Sequence, residues 1–320
     1  SDVCSSDLVT AMKGPTARIW RDGTLVEWAD ATVHVMAHAL HYGSSVFEGI
    51  RCYQTPQAGA VFRLRDHMRR LKDSAKIYRL DIPWSIDELC EATVATIASN
   101  GLRECYIRPI VMRTGQNMGI WAKDVPVETL IICWELGTYF GHETLAKGAD
   151  VRVSSWRRAA PNTFPTLAKA GGNYLNSQLT KIEAKSDEYV EGIMLDSAGF
   201  VAEGSGENLF LVRDGVIHTA PLSSGILHGI TRDSIMRLAA DLGYTVRETV
   251  MPREFLYIVD EAFFCGTAAE ITPIRSIDQL TVGDEKPGPV FRAIHEHFMG
   301  IAKGTRPDPY GWLTAVPLSD

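Results

Sequence analysis

The sequence predicts a mixed α/β chain of the α+β kind, folded as two domains, and three observations carry that expectation. The chain has 320 residues, 45% of them hydrophobic, enough for a sizeable core and more than a single core usually organises. Strand-like alternation and helical periodicity follow one another on both sides of a glycine-bearing break that starts at Leu136. No internal repeat or low-complexity tract interrupts them. The expected layout is a small N-terminal α+β domain over 13–135, a linker over 136–148 and a larger C-terminal domain over 149–320.

The first element is a hairpin, because the alternating runs of ARIWRDGTLVEW flank Asp22-Gly23, a turn signal. Ala60 to Arg65 (AVFRLR) reads as a strand. Apolar residues then recur at helical spacing through HMRRLKDSAKIYRL and through SIDELCEATVATIASNGL, the latter closed by Asn100-Gly101. Two long strands follow, ECYIRPIVMRT and ETLIICWEL. In the second domain NYLNSQLTKIEAKSDE and RDSIMRLAADLG read as helices, and EGIMLD, ENLFLVRDG, VIHTA, TVRETVM and EAFFCGT as strands.

Composition excludes several function classes. A formal net charge of −7, with the basic residues scattered, argues against nucleic acid as a partner. No stretch approaches the roughly 20 apolar residues that cross a bilayer, and residues 1–10 lack a secretory pattern, so a cytoplasmic, non-membrane protein is expected. Cys4, Cys52, Cys90, Cys105, Cys133 and Cys265 form no CxxC pair and read as free thiols. Residues 1–12 show no periodicity, and Met12 would make a natural start, so they are expected to be a non-native or disordered prefix.

Four constellations can carry chemistry. Lys169, in PNTFPTLAKAGGNYLNS, sits between a proline-rich loop and a helix. Alone it reads as a solvated lysine, although a rigid apolar loop end would also desolvate an amine meant for covalent catalysis. Glu203 opens EGSGEN, where a tight turn presents a carboxylate at a strand end, or simply closes a hairpin. Gly229-Ile230-Thr231 leads into a helix whose free N–H groups suit a phosphate, or merely starts a helix with Thr231 as its cap. Tyr106 and Arg108, in YIRP, share one face of a strand and could present a cation to a carboxylate, or simply place an arginine in a surface ion pair. His34, His38 and His41 would align on a helix, but no carboxylate or cysteine set joins them and no metal is expected. His295-Glu296-His297 lacks metalloprotease spacing and reads as part of a solvated helix.

Taken together, these segments resemble the branched-chain amino-acid aminotransferases, which are fold-type IV, class IV aminotransferases dependent on pyridoxal 5′-phosphate. The likeness runs from Arg18 to Trp312 through HVMAHALHYGSSVFEGIRCY, DHMRRLKDSAKIYRL, YIRP, the Lys169 segment, FVAEGSGENLFLV, HGITRDSI and CGTAAEITPIRSID. It implies a smaller N-terminal domain, a larger C-terminal pseudo-barrel domain and a cofactor between them.

Lys169 is by that likeness the Schiff-base lysine and proton shuttle, and Glu203 faces the cofactor's pyridine nitrogen. Leu227, Gly229, Ile230, Thr231, Gly266 and Thr267 cradle the cofactor, with Arg70 on its phosphate and Tyr174 on its phenolic oxygen; Arg69 is left to solvent. Phe47, Gly49, Tyr106, Arg108, Tyr139 and Ala268 match the substrate pocket, where Arg108 receives the distal carboxylate of glutamate. Tyr42, Met118 and Ile120 match residues that reach the pocket from a partner subunit, which implies at least a homodimer and allows a trimer of dimers. The implied reaction moves the amino group of L-leucine, L-isoleucine or L-valine to 2-oxoglutarate by a ping-pong route, with no metal. His228 stands where many members have proline, and Leu136 where some carry tryptophan. The alternatives are a D-amino-acid or (R)-amine transaminase, an aminodeoxychorismate lyase, and a non-catalytic binder of the cofactor.

Overall fold

Asp22 and Gly23 both take positive φ, 42° and 94°, as a two-residue hairpin turn with the right twist requires. They join β1 (Arg18–Arg21) to β2 (Thr24–Glu27), paired from Arg21↔Thr24 outward. The computed structural model describes residues 15–137 and 140–317. The expected prefix therefore lies outside the described residues. The chain divides into two units, each with its own sheet.

The first unit holds residues 15–137, 168–172 and 300–317. After the hairpin come α1 (His38–Tyr42), β3 (Ser45–Phe47), β4 (Ile50–Gln54), β5 (Gly59–Phe62), α2 (Leu64–Ile77), α3 (Ile86–Ser99), β6 (Cys105–Arg113) and β7 (Val127–Trp134). The strand β17 (Leu313–Val316) returns from the C-terminal end to pair antiparallel with β5, so that the sheet runs β17-β5-β4-β6-β7-β1-β2, with β3 on β6. Ile50, Val61, Ile107 and Ile131 pack with Leu64, Met68 and Leu71 of α2 and Leu89 and Ile97 of α3. Each such burial is worth about 1.5–3 kcal/mol. Helix α3 begins with a reciprocal capping box between Ser85 and Glu88.

The second unit holds residues 140–167 and 173–299. Its elements are α4 (Gly141–Lys147), β8 (Ala149–Arg157), α5 (Tyr174–Ser186), β9 (Glu191–Leu195), β10 (Val201–Gly204), β11 (Asn208–Arg213), β12 (Val216–Thr219), α6 (Ile230–Asp241), β13 (Thr245–Glu248), β14 (Glu261–Gly266), β15 (Glu270–Ile277), β16 (Leu280–Thr281) and α7 (Pro289–Ala302), whose last turn passes into the first unit. The sheet order is β10-β9-β8-β15-β14-β11-β12-β13, with β16 on β15. Val151, Val153, Ile193, Leu209, Leu211, Phe264 and Ile274 form its core.

The mixed α/β class is as the sequence predicted, but several local expectations change. The strand expected through Arg65 ends at Phe62, because Arg63 takes φ 53° and donates through Nε to Asp66 Oδ2 at 2.7 Å, so that α2 starts one residue later. The stretch given to a linker contains α4. Residues 168–172 and 300–317 group with the first unit, through the Val46↔Ala170 bridge and the β17–β5 pairing, and interrupt the span expected for the second domain. Thr231 lies inside α6, and Gly229 is its N-cap. His34 precedes α1, so the three histidines do not share a helix face. Instead His34 Nδ1 accepts from Met36 N–H, His38 bridges Ser44 and the Gly119 carbonyl, and His41 reaches the Val35 carbonyl. Cys52, Cys105, Cys133 and Cys265 are buried free thiols, and Cys90 is half-buried. Among the described residues no helix is long and apolar enough to cross a membrane.

Candidate active site

In the first unit the chain after the proline-rich loop is pinned at Lys169 from two sides. Its N–H donates to Ser74 Oγ of α2 at 3.0 Å, and its carbonyl accepts from Phe47 N–H of β3 at 2.9 Å. Ala168 and Ala170 on either side are buried while Lys169 itself is half-buried. A side chain at Gly171 would meet Ser45 Oγ at 2.4 Å, so glycine lets the loop pass β3. The amine is left 5.1 Å from the centre of the Phe47 ring.

The same ring carries Arg108 on it, the guanidinium carbon 4.4 Å from the ring centre, with Tyr106 at 5.3 Å and Trp134 at 5.9 Å completing an aromatic enclosure. Arg108 Nη2 donates to Tyr106 Oη at 3.2 Å, and Nε is buried with no hydrogen-bond partner. Such a half-buried cation, backed by π faces, suits a carboxylate arriving in an apolar pocket. Gly49 admits this arrangement, since a Cβ there would stand 2.0 Å from Tyr106 Oη.

Arg70, on α2, is anchored by a residue that the sequence did not single out. Glu48 is fully buried, and Arg70 donates to it through Nε at 2.6 Å and Nη2 at 2.9 Å, while His67 Nδ1 donates at 2.7 Å. Burial alone would raise the Glu48 carboxyl, but the Arg70 and His67 charges and hydrogen bonds hold it far below the usual carboxylate range. Burial pushes His67 down, against the pull of Glu48. Arg69 is exposed, as expected. Tyr42, Met118 and Ile120 are exposed on this unit, Ile120 almost wholly, and Tyr139 lies outside the described residues.

In the second unit the carboxylate of Glu203, at the end of β10, is buried and triply held. Arg158 Nε lies 3.0 Å from Oε1, Asn208 Nδ2 donates to Oε2 at 2.9 Å, and Leu227 N–H is shared between the two oxygens at 3.2 and 3.1 Å. Asn208 also donates to the Leu227 carbonyl at 3.0 Å, which ties β11 to the segment before α6. Helix α6 starts at Gly229 without any side-chain cap, and a Cβ there would sit 1.9 Å from Asn208 Oδ1. An uncapped N-terminus fixed next to an immobilised carboxylate fits a ligand with a phosphate and a protonated ring nitrogen. Ile230 and Thr231 are buried in the first turn of α6; Gly266, Thr267 and Ala268 lie half-buried at the turn after β14, and Tyr174 is half-buried at the start of α5.

Thus Lys169, Phe47, Gly49, Tyr106, Arg108 and Arg70 belong to the first unit, and Tyr174, Glu203, Leu227, Gly229, Ile230, Thr231, Gly266, Thr267 and Ala268 to the second. Glu48, His67, Arg158 and Asn208 were missed. The available signal was polar residues inside otherwise buried apolar runs, SVFEGI for Glu48 and ENLFLV for Asn208.

The family described as amino-transferase class IV matches residues 45–277. A branched-chain-amino-acid aminotransferase of Salmonella typhimurium is 53% identical over 299 residues, covering 93% of this chain and 97% of its own. The crystal structure of the branched-chain amino acid aminotransferase of Escherichia coli superposes with a TM-score of 0.90 at 51% identity, covering 94% of this chain and 100% of that one. The branched-chain aminotransferase of the thermophilic archaeon Thermoproteus uzoniensis, solved with norvaline, gives a TM-score of 0.90 at 42% identity over 94% of this chain and 100% of its own. Another enzyme of this name, solved with pyridoxamine 5′-phosphate, gives a TM-score of 0.90 at 45% identity. With its fold, its lysine loop and its aromatic-lined arginine, the chain belongs to the branched-chain-amino-acid aminotransferases of class IV.

Proposed function

We propose that this chain catalyses the reversible transfer of the amino group of L-leucine, L-isoleucine or L-valine to 2-oxoglutarate, with pyridoxal 5′-phosphate as cofactor and Lys169 as the residue joined to it. The observation that carries the reading is one aromatic ring: Phe47 stands beside both the Lys169 amine, at 5.1 Å, and the Arg108 guanidinium, at 4.4 Å. A reactive amine and a carboxylate receptor are thus separated by an apolar face against which a branched side chain can lie.

When bound, pyridoxal phosphate supplies an electron sink and carries the amino group. The chain's own residues supply the rest. Lys169 would take the proton from the substrate Cα and deliver it to the carbon that carries the cofactor's aldehyde, its position set by the bonds to Ser74 and Phe47. Glu203 holds a proton on the ring nitrogen, an anion suited to that task because Arg158, Asn208 and Leu227 fix it in place. Gly229, Ile230 and Thr231 offer backbone N–H groups to the phosphate, with Thr267 and Arg70, while the Tyr174 hydroxyl and Gly266 complete the cofactor's surroundings. Arg108 receives the distal carboxylate of glutamate, and Phe47, Gly49, Tyr106 and Ala268 line the side-chain pocket.

The active assembly is a homodimer at least, in which Tyr42, Met118 and Ile120 serve the partner's pocket. The exposed Val35, Leu40, Tyr42, Ile120 and Trp121 support this, since α1 and the Met118–Trp121 loop are joined by the His38–Gly119 bond at 3.0 Å and so present their apolar surface together. Lys169→Ala tests the core of the reading. Turnover should disappear, and borohydride reduction followed by mass spectrometry should place the phosphopyridoxyl group on Lys169 of the unaltered protein. A variant at full speed would contradict it.

A further inference from the structure

Among its described residues the second unit buries four carboxylates, Glu191, Glu203, Glu207 and Glu261; Glu261 accepts from the Val290 and Phe291 N–H groups, and Glu207 has no part in the reaction as described. Glu191 is paired with Lys181 Nζ at 2.6 Å, and Glu203 with Arg158 Nε at 3.0 Å. Arg232, the other buried cation nearby, is committed to Glu248. Among the described residues no basic group is within ion-pairing distance of Glu207. What it does hold is the turn between β10 and β11. Its carbonyl accepts from Gly204 N–H at 2.7 Å and its Oε2 from Gly206 N–H at 3.1 Å, and a Cβ at Gly204 would meet that Oε2 at 2.9 Å. Glu203 and Asn208 stand at the two ends of this turn.

Of Glu191, Glu203 and Glu207, only Glu207 is thus left without a cation, and an unpaired buried anion costs several kcal/mol. The groups facing Glu207 are Glu191 of β9, Lys181 of α5, Glu203 of β10 and the Cys265 thiol of β14. We propose that Glu207 is held as a neutral carboxylic acid beside Glu203, and that its ionisation in alkali loosens the turn positioning Glu203 and so slows the reaction. Glu207 is on this account a positioning residue. The kinetic half rests on the reading that Glu203 serves the cofactor's ring nitrogen.

Burial and the Glu191 charge push the Glu207 carboxyl from its ordinary 4.5 up to about 8, against the pull of Lys181. A folded-state value above the unfolded one means that the folded protein binds the extra proton, so stability falls as pH rises from 4.5 to about 8 and then levels. Glu207→Gln, a neutral mimic, should lack that loss, and its kcat should not share the unaltered protein's fall above the same pH.

Isotope-edited infrared spectra of the holoenzyme test the proton itself. A protonated carboxyl C=O band should be present at about pH 6, gone at about pH 10, and absent from Glu207→Gln. Should that variant not fold, the band's bleaching in the glutamate-labelled unaltered protein and the loss of its isotope shift in glutamate-labelled Glu207→Asp decide the matter. Absence of any such band at about pH 6, or equal pH dependence of melting in E207Q and the unaltered protein, would overturn the proposal. If instead Glu203→Gln kept kcat within a few fold while the band behaved as expected, the role of Glu203 would fail and the protonation of Glu207 would stand.

Discussion

Glu48 shows how a single carboxylate can organise the cations around it. It is fully buried, yet it meets two of Arg70's nitrogens and the His67 ring. Its carboxyl is depressed in the folded chain, so its stabilisation is complete above the ordinary carboxylate range and is lost as pH falls below it. Glu48→Gln removes the charge that faces Arg70 and His67; a loss of about 3 kcal/mol is expected in urea unfolding at neutral pH. The loss should shrink as the pH is lowered into the acid range, and cofactor titration should show weaker binding because Arg70 is no longer held. Equal stability at neutral pH would show that the contact is not formed. Lys169 and Glu203 could be picked out from sequence only through company with other motifs. Glu48, His67, Arg158 and Asn208 could not, because each acquires its role from a partner on another element.

Elements differ in how locally they are encoded. The hairpin at Asp22-Gly23 and helix α3 need only nearby residues, and both are legible, the hairpin from its turn dipeptide and the helix from its apolar spacing and the Asn100-Gly101 end. Ser85→Ala should therefore cost about 1 kcal/mol in thermal or urea unfolding while kcat stays unchanged. No loss would mean that the Glu88 exchange is immaterial. By contrast β8, β15 and β17 exist through pairing with strands far away in sequence; Leu313–Val316 becomes a strand because β5 offers an edge. The switch at Arg63 was illegible for another reason, since its left-handed backbone is sustained by the Asp66 contact rather than by any residue preference.

At the scale of the molecule, each of the two units carries a share of the candidate residues on regular elements, Phe47, Tyr106 and Arg108 on strands and Arg70 on a helix of the first, Glu203 on a strand and Thr231 on a helix of the second. The first unit also exposes a cluster that water does not favour, with Ile120 94% and Trp121 77% exposed. Ile120→Asp should shift sedimentation toward monomer and reduce turnover together; an unchanged assembly would place the dimer contact elsewhere.

The most direct test of the central claim is a half-reaction, in which pyridoxal-phosphate-loaded protein is mixed separately with L-leucine, L-valine, L-isoleucine, L-glutamate and D-alanine while the cofactor's visible absorbance is followed. Rapid conversion by the four L-amino acids and none by D-alanine is expected. Conversion by D-alanine alone would contradict it.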